Sequence, residues 1–262
     1  MYNFKYHSPH SINESQEIYK NSEFPKYLAG GMTLIPSIKQ KLSNPSDLID
    51  LQNISELKQI KIEKNKIIIG ALSTHNQVAN SDIIIKNLPG LSYLASNIAD
   101  NAVRNLGTIG GSISNAAPAA DYPAALLSLD AIVNTSNRNI KACDFFLDMF
   151  ETTLENDEIV KSVTFPIREN SYYLKYSSQA SKYAIIGIFS CKTNDNYNVA
   201  VTGASNKVFM IEEISRIPIS KLQDFNYKEI ILDKFNINSD IHASASYRIS
   251  LIRNLIYKTL KI

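Results

Sequence analysis

The chain has 262 residues, with 27 Lys+Arg against 25 Asp+Glu, 44% hydrophobic residues and 20% charged ones. That balance supports a sizeable core and excludes disordered and collagen-like chains, and a net charge of +2 with interspersed signs excludes a nucleic-acid footprint. No apolar run approaches the roughly 18 residues of a membrane span, and Met1 to His10 has no signal-peptide pattern, so the chain reads as cytoplasmic.

Ser11-Ile-Asn-Glu14 has capping-box spacing and predicts a short helix to about Lys20. A strand over Lys26 to Ala29 runs into Gly30-Gly31, and Thr33 to Leu42 follows as a helix with Pro36 in its first turn, where a missing N–H costs little. Asp47 to Leu51 reads as a strand. Gln59 to Glu63 and Ile67 to Ile69 form a hairpin across Lys64-Asn65-Lys66. Helical spacing covers Thr74 to Ala99 with a break at Pro89-Gly90, and Leu106 to Asn115 reads as a glycine-rich loop. A helix over Asp121 to Leu129, a hairpin of Ala131 to Thr135 with Ile140 to Cys143, and a strand from Ile159 to Phe165 come next. The polar stretch Arg168 to Ser171 marks a boundary. Beyond it Tyr172 to Tyr176, Ala184 to Thr193 and Asn198 to Gly203 predict a small antiparallel sheet, and Ala245 to Leu260 a packing helix.

Only 9 glycines occur where average usage of roughly 7% gives about 18. Five of them lie in two short segments. In Tyr27-Leu-Ala-Gly-Gly-Met-Thr33 a strand ends in two glycines before a helix, which lets backbone N–H groups approach an anion such as a phosphate; a plain tight turn is the competing reading. The second segment, Gly107-Thr-Ile-Gly-Gly-Ser-Ile-Ser-Asn115, adds hydroxyls and an amide, so that two loops together suit the two phosphates of a dinucleotide. Neither G-x-G-x-x-G nor G-x-x-x-x-G-K-[ST] is present. Asp121 suits a hydrogen bond to a ribose or adenine, but by its position it is first read as the N-cap of the next helix. Cys143 and Cys191 read as buried small apolar residues, too few for a disulfide framework or a four-thiolate metal site. The four histidines, His7, His10, His75 and His242, show no triad or metal spacing, and His75 reads as a helix-start residue.

Ala29-Gly-Gly-Met-Thr33 and Thr108-Ile-Gly-Gly-Ser112 resemble the signatures AGG-x-[ST] and TIGGN of the FAD-binding medium subunits of molybdenum hydroxylases, the xanthine dehydrogenase and carbon monoxide dehydrogenase flavoprotein family. Val103-Arg-Asn-Leu-Gly-Thr-Ile-Gly-Gly, Asn115-Ala-Ala-Pro-Ala-Ala-Asp-Tyr-Pro, Leu126-Leu-Ser-Leu-Asp-Ala131, Ile68-Ile-Gly-Ala71 with Thr74-His75, Asp144-Phe-Phe146, Glu158-Ile159 and Tyr247-Arg248 fall in family order, so the likeness spans the chain. Ser112 stands in place of the usual Asn, Met32 where Thr, His or Ser is commoner, and Gln179 where many members carry Arg.

The resemblance implies an α+β chain: a two-lobed FAD-binding fold of the vanillyl-alcohol-oxidase (PCMH) type over 1–168, with lobes of about 1–55 and 56–168, then a small C-terminal domain of antiparallel sheet plus helix over 169–262. It implies FAD contacts at Tyr27, Leu28, Ala29, Gly30, Gly31, Met32, Thr33 and Leu34, at Thr108, Ile109, Gly110 and Gly111, and at Asn115, Asp121, Val160 through its backbone, and Lys175. An exposed strand charge is the other reading of Lys175, and Ile98 falls either near the flavin ring or in the core. The implied function is an electron relay: the flavin takes electrons from [2Fe-2S] centres on a small subunit, fed by a molybdopterin-binding large subunit, and passes them to an acceptor such as NAD+. No residue of this chain is assigned a catalytic acid-base or metal-ligand role. The substrate would bind the large subunit, a purine or other N-heterocycle by family frequency. A flavin-free scaffold and a free-standing flavin reductase remain as alternatives.

Overall fold

Three short parallel strands open the chain, with β3 (Asp47–Asp50) between β1 (Lys5–His7) and β2 (Pro25–Leu28). The helix α1 (Ile12–Lys20) links β1 to β2, and α2 (Leu34–Lys39) links β2 to β3. Ser11 caps α1 by accepting from Glu14 N at 3.2 Å, while the Glu14 carboxylate turns back to His10 N at 2.8 Å, one residue short of a full capping box. Ile12, Ile49, Leu51 and Leu57 pack a small core under this sheet. The computed structural model describes residues 3–222 and 224–260, so Met1, Tyr2, Gln223, Lys261 and Ile262, including both ends of the predicted domains, lie outside the described residues.

The second lobe is a five-stranded antiparallel sheet in the order β4-β5-β10-β6-β7, made of β4 (Ile60–Glu63), β5 (Lys66–Gly70), β6 (Ile132–Thr135), β7 (Asn139–Lys141) and β10 (Val160–Pro166). Between β5 and β6 the chain makes α3 (His75–Asn80), α4 (Asp82–Asn87), α5 (Pro89–Ser96), α6 (Asn101–Leu106), α7 (Ile109–Asn115) and α8 (Tyr122–Ser128). After β7 come α9 (Ala142–Phe145) and a two-stranded hairpin of β8 (Phe146–Asp148) and β9 (Glu151–Thr152). The break expected at Pro89-Gly90 falls at Leu88, between α4 and α5, and Pro89 begins α5, since a proline at a first helical position gives up only an N–H that has no partner there.

A four-stranded antiparallel meander follows: β11 (Ser171–Ser177), β12 (Ala184–Thr193), β13 (Asn196–Thr202) and β14 (Phe209–Met210). After it come α10 (Glu212–Ser215) and α11 (Ala245–Leu260). In β12 the side chains alternate: Phe189 and Cys191 join the core of the second lobe, while Ile186 and Ile188 pack with Ile252 and Ile256 of α11. Both faces are covered, and the strand therefore reads as an unbroken apolar run. This shared core fastens the third sheet directly to the second lobe.

Three expectations are corrected. Leu106 to Asn115 is not an open loop: Gly107 ends α6, and Gly110 and Gly111 lie in the first turn of α7. Helix α6 is absent from the sequence reading because its Asn-rich start has little apolar period. Cys191 is buried, but Cys143 is exposed on α9. No helix among the described residues is long and apolar enough to cross a membrane.

Arg248 fastens α11 to the sheet. Its guanidinium, 4% exposed, donates to Ile185 O at 2.7 Å and Gly203 O at 2.6 Å and pairs with Asp240 at 2.6 Å. Arg248→Met would leave two buried carbonyls and a carboxylate without their donor, and should lower the unfolding free energy by about 3 kcal/mol in urea titration.

Candidate functional site

The two glycine segments meet by backbone contact. A β-carbon on Gly30 would fall 2.0 Å from Leu106 O and 2.8 Å from Gly107 Cα, so the end of β2 lies directly on the turn between α6 and α7. Gly31 has φ +71°, a left-handed conformation that glycine adopts without cost. Along this turn the N–H groups of Gly30, Gly31, Met32, Thr33 and Leu34 find no acceptor among the described residues, and Thr33 does not use its hydroxyl as a cap. Five successive free donors at a helix start suit an anion. The side chains of Tyr27 and Ala29 are occupied in the first lobe's core. Tyr27 stacks on Tyr19 with ring centroids 4.8 Å apart and donates to Asp157 O at 3.2 Å. Ala29 O accepts from Gln52 Nε2 at 3.2 Å. This segment therefore offers a ligand its backbone.

The α7 side is built differently from the two-loop expectation. Its first donors are used within the protein: Ile109 N reaches Ser73 O at 3.1 Å, Gly110 N reaches Ala71 O at 2.9 Å, and Gly111 N reaches Thr108 Oγ1 at 3.1 Å. Gly110 is pressed on Ala71, with a β-carbon position 2.5 Å from Ala71 Cβ. Gly111 is less crowded: a β-carbon there would meet Thr108 Oγ1 at 3.0 Å and Ala29 Cβ at 3.6 Å, so its backbone lies close beside the first segment. One turn further, the side chains of Ser112 and Asn115 have no partner among the described residues.

His75 ties this junction to the far end of the site. Thr74 caps α3 with a complete capping box, and His75 N donates to Gly107 O at 2.9 Å. The imidazole is buried, with Nε2 2.7 Å from where a Gly107 β-carbon would stand and Nδ1 3.3 Å from Tyr122 OH. Burial first, and the Arg104 charge second, pull its pKa from 6.5 down to about 4.

Next to Tyr122 stands Asp121, and its capping role is corrected. Its backbone is already helical and its side chain makes no cap bond. Instead Oδ1 accepts from Tyr173 OH and pairs with Lys175 Nζ at 3.0 Å, and the carboxylate also accepts from its own backbone N–H. Burial raises the Asp121 pKa against the opposing pull of Lys175, and burial beside Asp121 drives the Tyr173 phenol well above 10. Lys175 is not an exposed strand charge: its side chain is 7% exposed, and Nζ also donates to Asn97 O at 2.8 Å and Lys182 O at 3.0 Å. Its three protons are all engaged. Val160 is buried in β10 beside a register shift, and its neighbour Lys161 supplies the carbonyl that accepts from Ala71 N at 2.9 Å, behind Gly110. Ile98 packs, half-buried, against the second lobe's core.

Arg104 is the residue that sequence reasoning passed over. It binds Ile98 O at 2.7 Å, Ala99 O at 2.9 Å and the Asn101 side chain. Its only trace in the sequence is its place in the stretch before Gly107.

A donor-rich glycine turn against a helix start and a buried, lysine-paired carboxylate are features that suit a nucleotide cofactor. Residues 2–168 match the family model described as the FAD binding domain in molybdopterin dehydrogenase. The glyceraldehyde dehydrogenase medium chain of Sulfolobus acidocaldarius is 31% identical over 98% of this chain and 97% of its own. The nicotine 6-hydroxylase medium subunit of Paenarthrobacter nicotinovorans is 30% identical over 98% and 95%. Among solved structures, quinoline 2-oxidoreductase from Pseudomonas putida superposes with a TM-score of 0.89 at 26% identity, covering 98% of this chain and 95% of that one. The chain belongs to the FAD-binding medium-subunit family of the molybdenum hydroxylases and is, with its relatives, an oxidoreductase subunit whose cofactor is FAD.

The glycines separate by what they touch. Gly30→Ala forces backbone against backbone and should cost about 1–3 kcal/mol in thermal or urea unfolding, whereas Gly111→Ala should leave the midpoint nearly unchanged. His75 gives a pH signature. The unfolded chain takes up this proton near pH 6.5 and the folded one only near 4, so stability is full above that window and falls as pH drops through it, by roughly 3 kcal/mol in all. In urea unfolding from pH 7 to about 4, His75→Gln should show a shallower decline than the parent.

Proposed function

We propose that this chain is the electron-relay subunit of a molybdenum hydroxylase or dehydrogenase, with FAD seated between the Gly30-Gly31 turn and α7. The observation that supports it most is the run of unpartnered N–H groups from Gly30 to Leu34, on the segment that meets Gly111 through Ala29. The residues suit the group. A pyrophosphate needs dense donors and close backbone approach, which the glycine turn and the bare backbone of Gly111 supply. Asp121 accepts from a cofactor hydroxyl, and the Ser112 and Asn115 side chains remain for further polar contacts. Lys175 acts by neutralising Asp121 and holding its orientation, and the backbone beside Val160 closes the wall behind Gly110. When bound, FAD supplies electron uptake and release. The protein's part is to bind it, orient it and exclude water.

Relatives named as medium chains or medium subunits support a multi-subunit assembly, and those named for nicotine and nicotinate support the substrate class. A [2Fe-2S] small subunit delivers electrons, a molybdopterin-binding large subunit oxidises the substrate, the acceptor is of the NAD+ class, and the assembly is cytoplasmic. Its substrate is an N-heterocycle, bound on the large subunit.

The purified full chain, given FAD, should show flavin absorption bands. Gly111→Val should weaken FAD binding roughly tenfold or more, equivalent to about 1.4 kcal/mol, while far-UV circular dichroism keeps the fold. A chain that takes up no FAD would be the flavin-free scaffold. Unchanged affinity in the variant would remove the pyrophosphate from this position, and purification from its host without iron or molybdenum chains would favour the free-standing reductase.

A further inference from the structure

The segment between α5 and α6 is gripped by two cations on one side. Lys175 Nζ takes Asn97 O at 2.8 Å, and one nitrogen of Arg104 takes both Ile98 O at 2.7 Å and Ala99 O at 2.9 Å. Three successive carbonyls thus turn towards charge. The turn is strained, because Ala99 has φ +42° and a side chain with a β-carbon is disfavoured there. The other nitrogen of Arg104 holds the Asn101 side chain, so the guanidinium ties the turn to the helix that carries it, three residues before Gly107. The turn is linked to Asp121 through Lys175, and to the Gly30 contact through α6, which ends at Leu106. The turn is therefore the wall that joins the two ends of the cradle.

We propose that Arg104 is a positioning residue, which fixes residues 97–99 as the wall of the flavin site and sets the surroundings of the bound ring without touching the cofactor. The inference rests on the FAD reading above. A planar fork suits the task, because two carbonyls and an amide oxygen must be bound at once and a lysine ammonium on a flexible stem does not reproduce that arrangement.

The test uses the purified full chain and FAD, with the dissociation constant and the visible circular dichroism of bound flavin as readouts. Arg104→Met should weaken FAD binding roughly tenfold and alter the dichroism, and Arg104→Lys should leave the altered dichroism in place. Adding Ala99→Gly to Arg104→Met should recover roughly fivefold in affinity, because glycine holds the left-handed turn without the guanidinium. Parent-like affinity and dichroism in Arg104→Met would overturn the proposal. So would full restoration by lysine, which would make Arg104 a simple charge, or no recovery with Ala99→Gly. If Arg104→Met does not fold, Arg104→Lys carries the same decision through its dichroism. A parent chain that binds no FAD fails the underlying reading instead, before any variant is compared.

Discussion

A β-carbon at Gly30 would stand 2.0 Å from the carbonyl oxygen of Leu106, so the first lobe can reach the second only where a side chain is missing. Much of the site's geometry depends on that approach. It brings the end of β2 over the turn between α6 and α7, which sets the segment with the free N–H groups of residues 30–34 beside the start of α7. Asp157 holds the lobes together elsewhere: its carbonyl accepts from Tyr27 at 3.2 Å and Gln16 at 3.1 Å, and its carboxylate pairs with Lys20 at 3.2 Å. The loop bearing Asp157 is itself held by Glu158, whose carboxylate accepts from Thr135, Arg138 and Glu155 N. Burial raises the Glu158 pKa, but the bonds from Arg138 and Thr135 outweigh it and hold it below the usual range. The interface is thus fixed by polar contacts of good geometry where it is not fixed by glycine.

At the other end of the cradle, one buried carboxylate organises three elements. Asp121 precedes α8, Tyr173 and Lys175 lie on β11, and Lys175 reaches on to the segments before α6 and β12. A buried charge of this kind is costly unless it is well partnered, and here Tyr173, Lys175 and the residue's own backbone N–H supply the partners. Tyr173 reaches Asp121 because residue 187 is glycine: a β-carbon there would lie 2.5 Å from the Tyr173 hydroxyl.

What could be read in the sequence follows the range of the interactions involved. The hairpins, β12 and α11 are set by local turn residues and apolar period, and α11 has the expected bounds Ala245–Leu260. The glycine pair of the second segment suggested a loop because glycine disfavours helix interiors, yet Thr108 followed by Gly111 N is a helix start, and its capping signal was available. Asp121 was misread for the opposite reason. Its local sequence suits a cap, but its partners stand 52 and 54 residues away, and no local pattern reports them. Lys175 likewise follows strand alternation, which cannot tell a solvated lysine from one enclosed by three acceptors.

The three departures from the family pattern become intelligible once side chain and backbone are separated. Met32 is exposed, and residue 32 serves the glycine turn through its N–H, which is the same for methionine as for threonine. Ser112 follows Gly111 within α7, where Ser112 N is bonded to Thr108 O at 3.0 Å, so the substitution for asparagine shortens a side chain without disturbing the helix start. Gln179 lies exposed between β11 and β12, in a turn closed by Ser178 N to Tyr183 O at 2.9 Å and held at its base by Lys175. None of the three contributes a side chain to the contacts that build the cradle. A site made from backbone donors, missing β-carbons and one buried carboxylate tolerates such changes, because its geometry depends on the positions where a side chain must be absent or enclosed.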